Sequence, residues 1–170
     1  AAFYIDWNNI QVQGNRVSDT VQFATNIGGA VSKGIEFELV AKPVDGLRLQ
    51  ASGAYIDARI DDLSDSEAAI SGAVDGIRLS TPEFQGSASA TYSFPVGDTE
   101  TAFVTGNVAY VGSFPGLFPN VAGQPGVPSP QYDETDEYVY ANAYAGVNLT
   151  PDLSITAYVE NVFNNDAITY

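Results

Sequence analysis

Apolar and polar residues alternate one by one through most of the sequence, and this two-residue period constrains the fold more than any other feature. Between residues 84 and 94, polar Gln, Ser and Thr alternate with residues of an apolar set, namely Gly86, Ala88, Ala90, Tyr92 and Phe94. Because successive side chains of a β-strand point to opposite faces, each such stretch is predicted to be a strand with one apolar face. We count seven such stretches of about ten residues each. Only residues 64–72 favour a helix, of about two turns, inside a loop.

The connections between the predicted strands are alternately short and long. Short turns occur at 43–46, 95–100 and 150–152, and long loops at about 13–26, 58–80 and 112–137. Bacterial outer-membrane barrels have this asymmetry, with the short turns on the periplasmic side, and their strands of about ten residues cross the bilayer at a tilt. The sequence therefore predicts an all-β fold, an antiparallel up-and-down segment of a transmembrane β-barrel. A change of parity at Asn8–Asn9 predicts a β-bulge in the first strand.

The two faces of the predicted strands carry different residue types. Aromatic residues near strand ends on the apolar face are predicted to form the girdles found at membrane interfaces, and these are Trp7, Tyr55, Tyr92, Phe94 and Tyr110. Charged residues in mid-strand are predicted to face a water-filled lumen, because a carboxylate is costly in a dry core, and these are Glu36, Glu38, Arg48 and Glu160. A soluble secreted β-sandwich with a binding role remains an alternative, since strand-end aromatics also cover sandwich cores.

Composition excludes several functions. The sequence has no Cys and no His, so disulfides, thiol nucleophiles and the commonest zinc ligand and general base are absent. The net charge of -15, from 21 acidic and 6 basic residues, argues against nucleic-acid binding, which needs clustered Lys and Arg. No motif organises the remaining polar residues into a catalytic site. We expect neither an enzyme nor a cofactor.

Three segments resemble elements of one family, the TonB-dependent receptors. Residues 26–38 (N-I-G-G-A-V-S-K-G-I-E-F-E) resemble the family's "N-x-G … G-[IVL]-E-x-E" element, and residues 3–12 look like the strand that precedes it. Residues 158–165 (Y-V-E-N-V-F-N-N) are similar to the "N-L-F-[DN]" element of the penultimate strand. The three elements occur in the family's order and extend over essentially the whole chain.

This resemblance implies an architecture. Such receptors have an N-terminal plug inside a barrel of 22 strands, so residues 1–170 are expected to be the C-terminal part of that barrel, about strands 15 to 21. The plug and the closing strand would then be absent from the sequence. Seven strands cannot close an antiparallel barrel by themselves, so the chain is expected to be an open arc of the wall.

The resemblance also implies a function: uptake of a scarce ligand, most often a ferric siderophore, driven by TonB through the missing N-terminal part. The expected location is the outer membrane, with lipid and a small-molecule ligand such as a metal chelate as partners. Four residues of the predicted long loop at 112–137 are candidates for ligand contact, namely Phe114, Phe118, Asn120 and Tyr132. A porin or another outer-membrane barrel is the remaining membrane alternative.

Overall fold

The computed structural model describes residues 1–16, 21–98, 100–116 and 118–167. The strands are β1 (Ala2–Arg16), β2 (Val21–Ala41), β3 (Leu47–Asp61), β4 (Phe84–Pro95), β5 (Thr101–Val111), β6 (Tyr138–Thr150) and β7 (Leu153–Val159), with one helix, α1 (Asp65–Ser71), between β3 and β4. The seven strands form one antiparallel sheet in chain order. Each strand therefore pairs only with its sequence neighbours, which is the up-and-down order that the alternating connections predict.

Cross-strand pairing keeps the apolar residues of successive strands at the same height and on the same side. One row runs Leu39, Ala51, Ala88, Val108 and Ala141, because each of these residues is paired with the next. Directly paired residues of an antiparallel sheet lie on the same face. We call this side the apolar face and the other side the polar face. We call the end of the sheet at residues 43–46, 96–100 and 151–152 the turn end, and the opposite end the loop end.

The first two strands are longer than the sequence predicts. The expected loop at about 13–26 is replaced by strand up to Arg16 and again from Val21, and residues 17–20 lie outside the described residues. Similarly, β3 continues to Asp61, so the next loop begins later than expected. The backbone hydrogen bonds of β1 with β2 thus extend the sheet well past the level at which the apolar face ends.

The predicted β-bulge at Asn8–Asn9 is wrong. Asn8 pairs with Gly29 and Ile10 with Ile27, so no extra residue enters either strand. Instead Asn9 has a φ of 56°, a left-handed conformation that Asn tolerates better than most residues. Just beyond Asn9, the paired Ile10 and Ile27 are buried in one cluster with Ala30 and Ile60. This exchange of sides gives the same change of parity in the sequence as a bulge would.

The helix predicted at 64–72 is confirmed as α1, and local side chains explain where it starts and ends. Ser64 is the N-cap and forms a capping box with Glu67, since each side chain accepts a hydrogen bond from the other residue's backbone N–H. Gly72 closes the helix with a φ of 78°, the left-handed conformation usual after a helix C-terminus. Within the described residues no helix has the length and apolar character needed to span a membrane.

A small hydrophobic core lies at the loop end and not at the centre of the sheet. Its buried residues come from β1, β2, β3 and the loop after α1, and they are Ile10, Ile27, Ala30, Ile60 and Ala73. Leu63, Ile77, Leu79 and Phe118 pack around them. Because Ala30 and Ile60 are on the polar face, the loops fold over that face of the sheet at this end.

The two long loops after β3 and β5 are joined by backbone hydrogen bonds. The N–H of Asn120 donates to Gly72 O (3.1 Å), and the N–H of Gly123 donates to Ala69 O (2.8 Å). A Cβ atom added at Gly72 would collide with the carbonyl oxygen of Asn120, whereas one added at Gly76, whose φ is 75°, would meet nothing. Gly72 is therefore needed both for its φ and for the approach of the second loop.

We predict that Gly72→Ala separates the two loops and that Gly76→Ala does not. Both variants incur the cost of a non-glycine residue in the left-handed region, about 1–2 kcal/mol, but only the first also pushes Asn120 away. Hydrogen exchange of the Gly123 amide, which bonds to Ala69, should become at least about tenfold faster in Gly72→Ala. Equal exchange rates in the two variants would show that the close approach is unimportant.

Candidate functional site

The polar face between β2 and β7 is the candidate functional surface. Glu36 and Glu38 alternate with apolar residues of β2 and pair with Ala54 and Ser52. Arg48 pairs with Thr91 nearer the turn end. Glu160 directly follows β7 and continues its alternation on the same side. The structure therefore places all four predicted lumen-facing residues on one face of the sheet, and that this face lines a lumen stays a prediction.

Polar side chains on this face bond to one another across neighbouring strands. The hydroxyls of Ser52 and Ser87 are 2.9 Å apart, as are those of Thr91 and Thr105. These contacts join β3 to β4 and β4 to β5. These hydroxyls therefore have protein partners and do not depend on water alone for hydrogen bonding.

A run of tyrosines on the same face was not singled out from the sequence. Tyr138, Tyr140 and Tyr144 occupy every second or fourth position of β6, and Tyr158 of β7 pairs with Tyr144. The rings of Tyr138 and Tyr140 stack with centroids 6.3 Å apart, and those of Tyr144 and Tyr158 with centroids 6.2 Å apart. The sequence signal was present, since these residues alternate with the apolar set of β6, but they belong to the side that we expected to be merely polar.

The four predicted ligand-contact residues lie in the loop between β5 and β6, where three of them have structural contacts. The N–H of Phe114 donates to the Thr135 hydroxyl (3.1 Å), the ring of Phe118 packs on the hydrophobic core, and Asn120 bonds to Gly72. Tyr132 is exposed, with 38% of its surface accessible. Contact with a ligand stays a prediction for all four, and Tyr132 has the side chain most accessible to one.

Four of the five predicted girdle aromatics lie on the apolar face. Tyr55 pairs with Phe84 toward the loop end, and Tyr110 stands next to Phe84 with ring centroids 5.8 Å apart. Tyr92 and Phe94 stack toward the turn end with centroids 5.7 Å apart. The aromatic residues thus form two groups, one near each end of the apolar face.

The prediction that Trp7 shares the apolar face is wrong. Trp7 pairs with Ala30, which in turn pairs with Ile60, and both belong to the polar side of the sheet. On the same side of β1, the Phe3 ring covers Gly34 so closely that a Cβ there would lie 2.8 Å from it. The error arises because the alternation puts Phe3, Ile5 and Trp7 on one side of β1 but does not show which side of the sheet that is. The register with β2 decides it.

Charged residues replace apolar ones where the apolar face ends at the loop end. Two positions nearer the loop end than Ile35 and Tyr55 lie Lys33 and Asp57, whose charged groups are 3.5 Å apart. Arg59 contacts Asp57 (2.6 Å) and Glu83 (3.6 Å). Arg78 extends this network to Glu83 and, in the other loop, to Glu134. The apolar face therefore ends at a row of charged residues on the loop-end side.

A single carboxylate joins α1 to β2. Glu67 accepts hydrogen bonds from the Ser64 hydroxyl (2.5 Å), from the Ser64 N–H (2.9 Å) and from the Gly28 N–H (2.9 Å). These bonds, that from the Ser64 side chain most of all, hold the pKa of the Glu67 carboxyl below its ordinary value of 4.5. The charged form is therefore the one that holds the helix against the strand.

We predict that acid releases α1 from β2. A carboxyl with a lowered pKa stabilises the fold above its ordinary value, and this contribution is lost as the pH falls below 4.5 through the lowered pKa. The exchange protection factor of the Gly28 amide should fall over this range. In Glu67→Gln it should already be lower at neutral pH and should lose little more in acid.

The control for this prediction is Asp65→Asn, which removes another carboxylate from the first turn of the same helix. It should leave the acid-dependent change at Gly28 intact. The same acid-dependent loss of protection in Glu67→Gln as in the unaltered chain would contradict the role given to Glu67.

The part of the chain that the structure describes contains no group of three or more Asp or Glu residues arranged to hold a metal ion. The candidate site consists of the polar face with its tyrosines and acids, next to the joined loops at the loop end.

Comparisons with known proteins identify the fold of this surface. The ferric preacinetobactin receptor BauA of Acinetobacter baumannii superposes with a TM-score of 0.64 at 17% identity, covering 98% of this chain and 23% of that protein. FpvA of P. aeruginosa, solved with heterologous pyoverdines, gives 0.65 at 23% identity, covering 98% and 21%. Fiu, the ferric-catecholate import receptor of E. coli K12, gives 0.62 at 19% identity, covering 97% and 20%. The chain thus spans between a fifth and a quarter of these proteins.

No curated protein matches the sequence. A family model does: the β-barrel of TonB-dependent receptor-like proteins matches residues 1–162, nearly the whole chain. Together with the single up-and-down sheet, this match excludes the β-sandwich alternative and confirms the resemblance that the sequence shows. The chain belongs to the TonB-dependent receptor-like β-barrel family and forms an open segment of such a barrel.

Proposed function

We propose that the chain is the C-terminal part of the barrel wall of an outer-membrane receptor, which takes up a scarce ligand with energy from TonB. A ferric siderophore is the ligand we expect, because the structures that share the fold include receptors for ferric siderophores. The plug and the closing strand would belong to the remainder of the full-length protein, and TonB would act through that N-terminal part.

The observation that supports a membrane location best is the bounded apolar face. Phe84 and Phe94 mark its aromatic edges on β4 and are ten residues apart, about 34 Å along the strand at ~3.4 Å per residue. A tilt of about 40° reduces this to about 26 Å, close to the ~25 Å apolar band of outer-membrane barrels. The charged network of Lys33, Asp57 and Arg59 begins just above this level.

Residues at the centre of this face are exposed and apolar, as lipid contact requires. Leu39 and Val108 are exposed although both are large and hydrophobic, and they lie in one row with small residues between them. A water-exposed patch of this extent would be unfavourable for a soluble protein. Lipid as the partner of this face removes that cost.

The joined loops support a role on the outer side. They lie at the end opposite the short turns, which outer-membrane barrels place in the periplasm. Their own hydrophobic core and the bonds of Glu67 give this region a fixed shape. A fixed outer surface beside an inner wall of polar and aromatic residues suits the capture of a small molecule from outside.

We predict that an arginine distinguishes the two faces of β4. Ala90→Arg places a charge near the middle of the apolar face and should destabilise the folded full-length protein in lipid by about 2–4 kcal/mol. Ser89→Arg, one residue away on the polar face, should be tolerated. Heat-modifiable gel mobility after refolding into vesicles measures the folded fraction. Equal tolerance of both substitutions would exclude lipid contact for the apolar face.

Uptake by the full-length receptor tests the transport function. Expressed in a Gram-negative strain that lacks its own siderophore receptors, it should import radioactive iron from at least one ferric siderophore. Import should stop when TonB is deleted or the inner membrane is de-energised. Import that continues without TonB would instead favour the porin alternative, a passive pore.

A further inference from the structure

We propose that a cavity on the polar face beside β6 and β7 binds an organic cation, an ammonium or guanidinium group carried by the transported ligand. Its main lining residues are Tyr138, Tyr140, Asn142, Glu160, Asn161 and Asn165. The inference rests on the proposed function, since only a receptor would present this inner wall to a ligand. It adds the chemical class of one group that the ligand carries.

The cavity has the size and the position of a binding site for part of a ligand. Its volume is about 470 Å³. Tyr138 and Tyr140 lie at the loop end of β6, so the cavity is at the end of the sheet from which the proposed receptor would receive its ligand. The two rings are stacked, with an angle of 26° between their planes, and 41% of Tyr140 is exposed. An aromatic surface is therefore available to a bound molecule.

The side chains of Asn142 and Asn161, two of the three asparagines that line this cavity, are already hydrogen-bonded to the protein. The Asn142 amide donates to Asn107 Oδ1 (3.0 Å), and its oxygen accepts the N–H of Asn161 (2.9 Å). The Asn161 side chain donates to Asn165 O (3.1 Å) and accepts the N–H of Asn165 (3.0 Å). Recognition of a sugar or another polyhydroxylated molecule relies on such amides, so the engagement of these two argues against that class of ligand.

Glu160 supplies the charge. Its carboxylate is exposed, and its only described contact within hydrogen-bond range is the Tyr144 hydroxyl, at the long distance of 3.5 Å. No Lys or Arg lines the cavity. Arg48, on the same face, lies three strands away from β6, about 14 Å at ~4.8 Å per strand. The negative charge is therefore uncompensated by the described part of the wall.

A carboxylate beside tyrosine ring faces favours cations over anions and neutral groups. The ring faces carry the negative part of the aromatic quadrupole, and cations bind over them most strongly where water is partly excluded. An anionic group would be repelled by Glu160 and by the charge of -15 on the whole chain. The cation can come from the ligand or from a Lys or Arg side chain of the receptor outside this chain, and we assign it to the ligand.

Binding of putrescine, a small diammonium, to the full-length receptor tests this assignment, with butanediol as the uncharged analogue of equal length. Equilibrium dialysis should show saturable putrescine binding and at least tenfold weaker binding of the diol. Glu160→Gln should weaken putrescine binding about tenfold. Tyr140→Leu should weaken it at least fivefold, and Tyr140→Phe, which keeps the ring face, should stay within twofold of the unaltered receptor.

Asp45→Asn is the charge control, because it removes a carboxylate from the turn at 43–46, far from the cavity. It should leave the affinity within twofold, and heat-modifiable mobility confirms that each variant is folded. Affinity unchanged by Glu160→Gln, or equal binding of the diol, overturns the proposal. So does a lack of saturable putrescine binding, the result expected if the receptor's own Lys or Arg fills the cavity.

The uptake assay described above separates this inference from the proposed function. A receptor that imports its ferric ligand under TonB control but does not bind putrescine overturns the cation site alone. A receptor that binds putrescine through Glu160 and Tyr140 but imports nothing overturns the transport function and leaves the cavity as a binding site.

Discussion

The arrangement of this protein depends on an unshifted cross-strand register. From β2 to β6 the register stays constant along each pair of strands. The alternation of apolar and polar residues within each strand therefore becomes one continuous apolar face and one continuous polar face. A slip by one residue in any strand would move its apolar residues to the polar side. The shift between Asn148 and Thr150 lies beside the last short turn, where it disturbs little of the ladder.

The polar surface owes its stability to the same register. Residues of one type stand opposite each other, Ser52 opposite Ser87 and Thr91 opposite Thr105, and their hydroxyls are close enough to bond. Each pair satisfies its own groups, so the wall needs no buried ion pair to hold it.

The sequence predicts the strands, their order and the sides of β2 to β7, because these features follow from a period of two residues and from connection lengths. It also predicts α1, whose cap residues are adjacent in the chain. It misplaces Trp7, since the alternation of Phe3, Ile5 and Trp7 does not show which side of the sheet they share, and only the register with β2 does. It gives no sign of the bonds of Glu67 to Gly28 or of Gly72 to Asn120, which join residues 39 and 48 positions apart along the chain.

The tyrosine-lined cavity shows a further limit of reasoning from the sequence. The alternation in β6 shows on which side Tyr138 and Tyr140 lie, but the cavity also needs the turn formed by Asn161 and Asn165. That turn bends the chain after β7 and places Glu160 beside the rings. Two hydrogen bonds between the Asn161 side chain and the Asn165 backbone hold this turn. The family element at residues 158–165 can be recognised in the sequence, but it does not show the shape of the turn.

The length of β2 divides the segment into two parts with separate sources of stability. Its last seven residues, from Ile35 to Ala41, span about 20 Å at ~3.4 Å per residue and belong to the apolar band, while the remainder stands above it. That upper part relies on the core around Ile27 and Ile60, since lipid at the proposed apolar band would not reach it. Loss of that core would therefore loosen the upper part of the sheet, while the strand pairs of the apolar band remain in place.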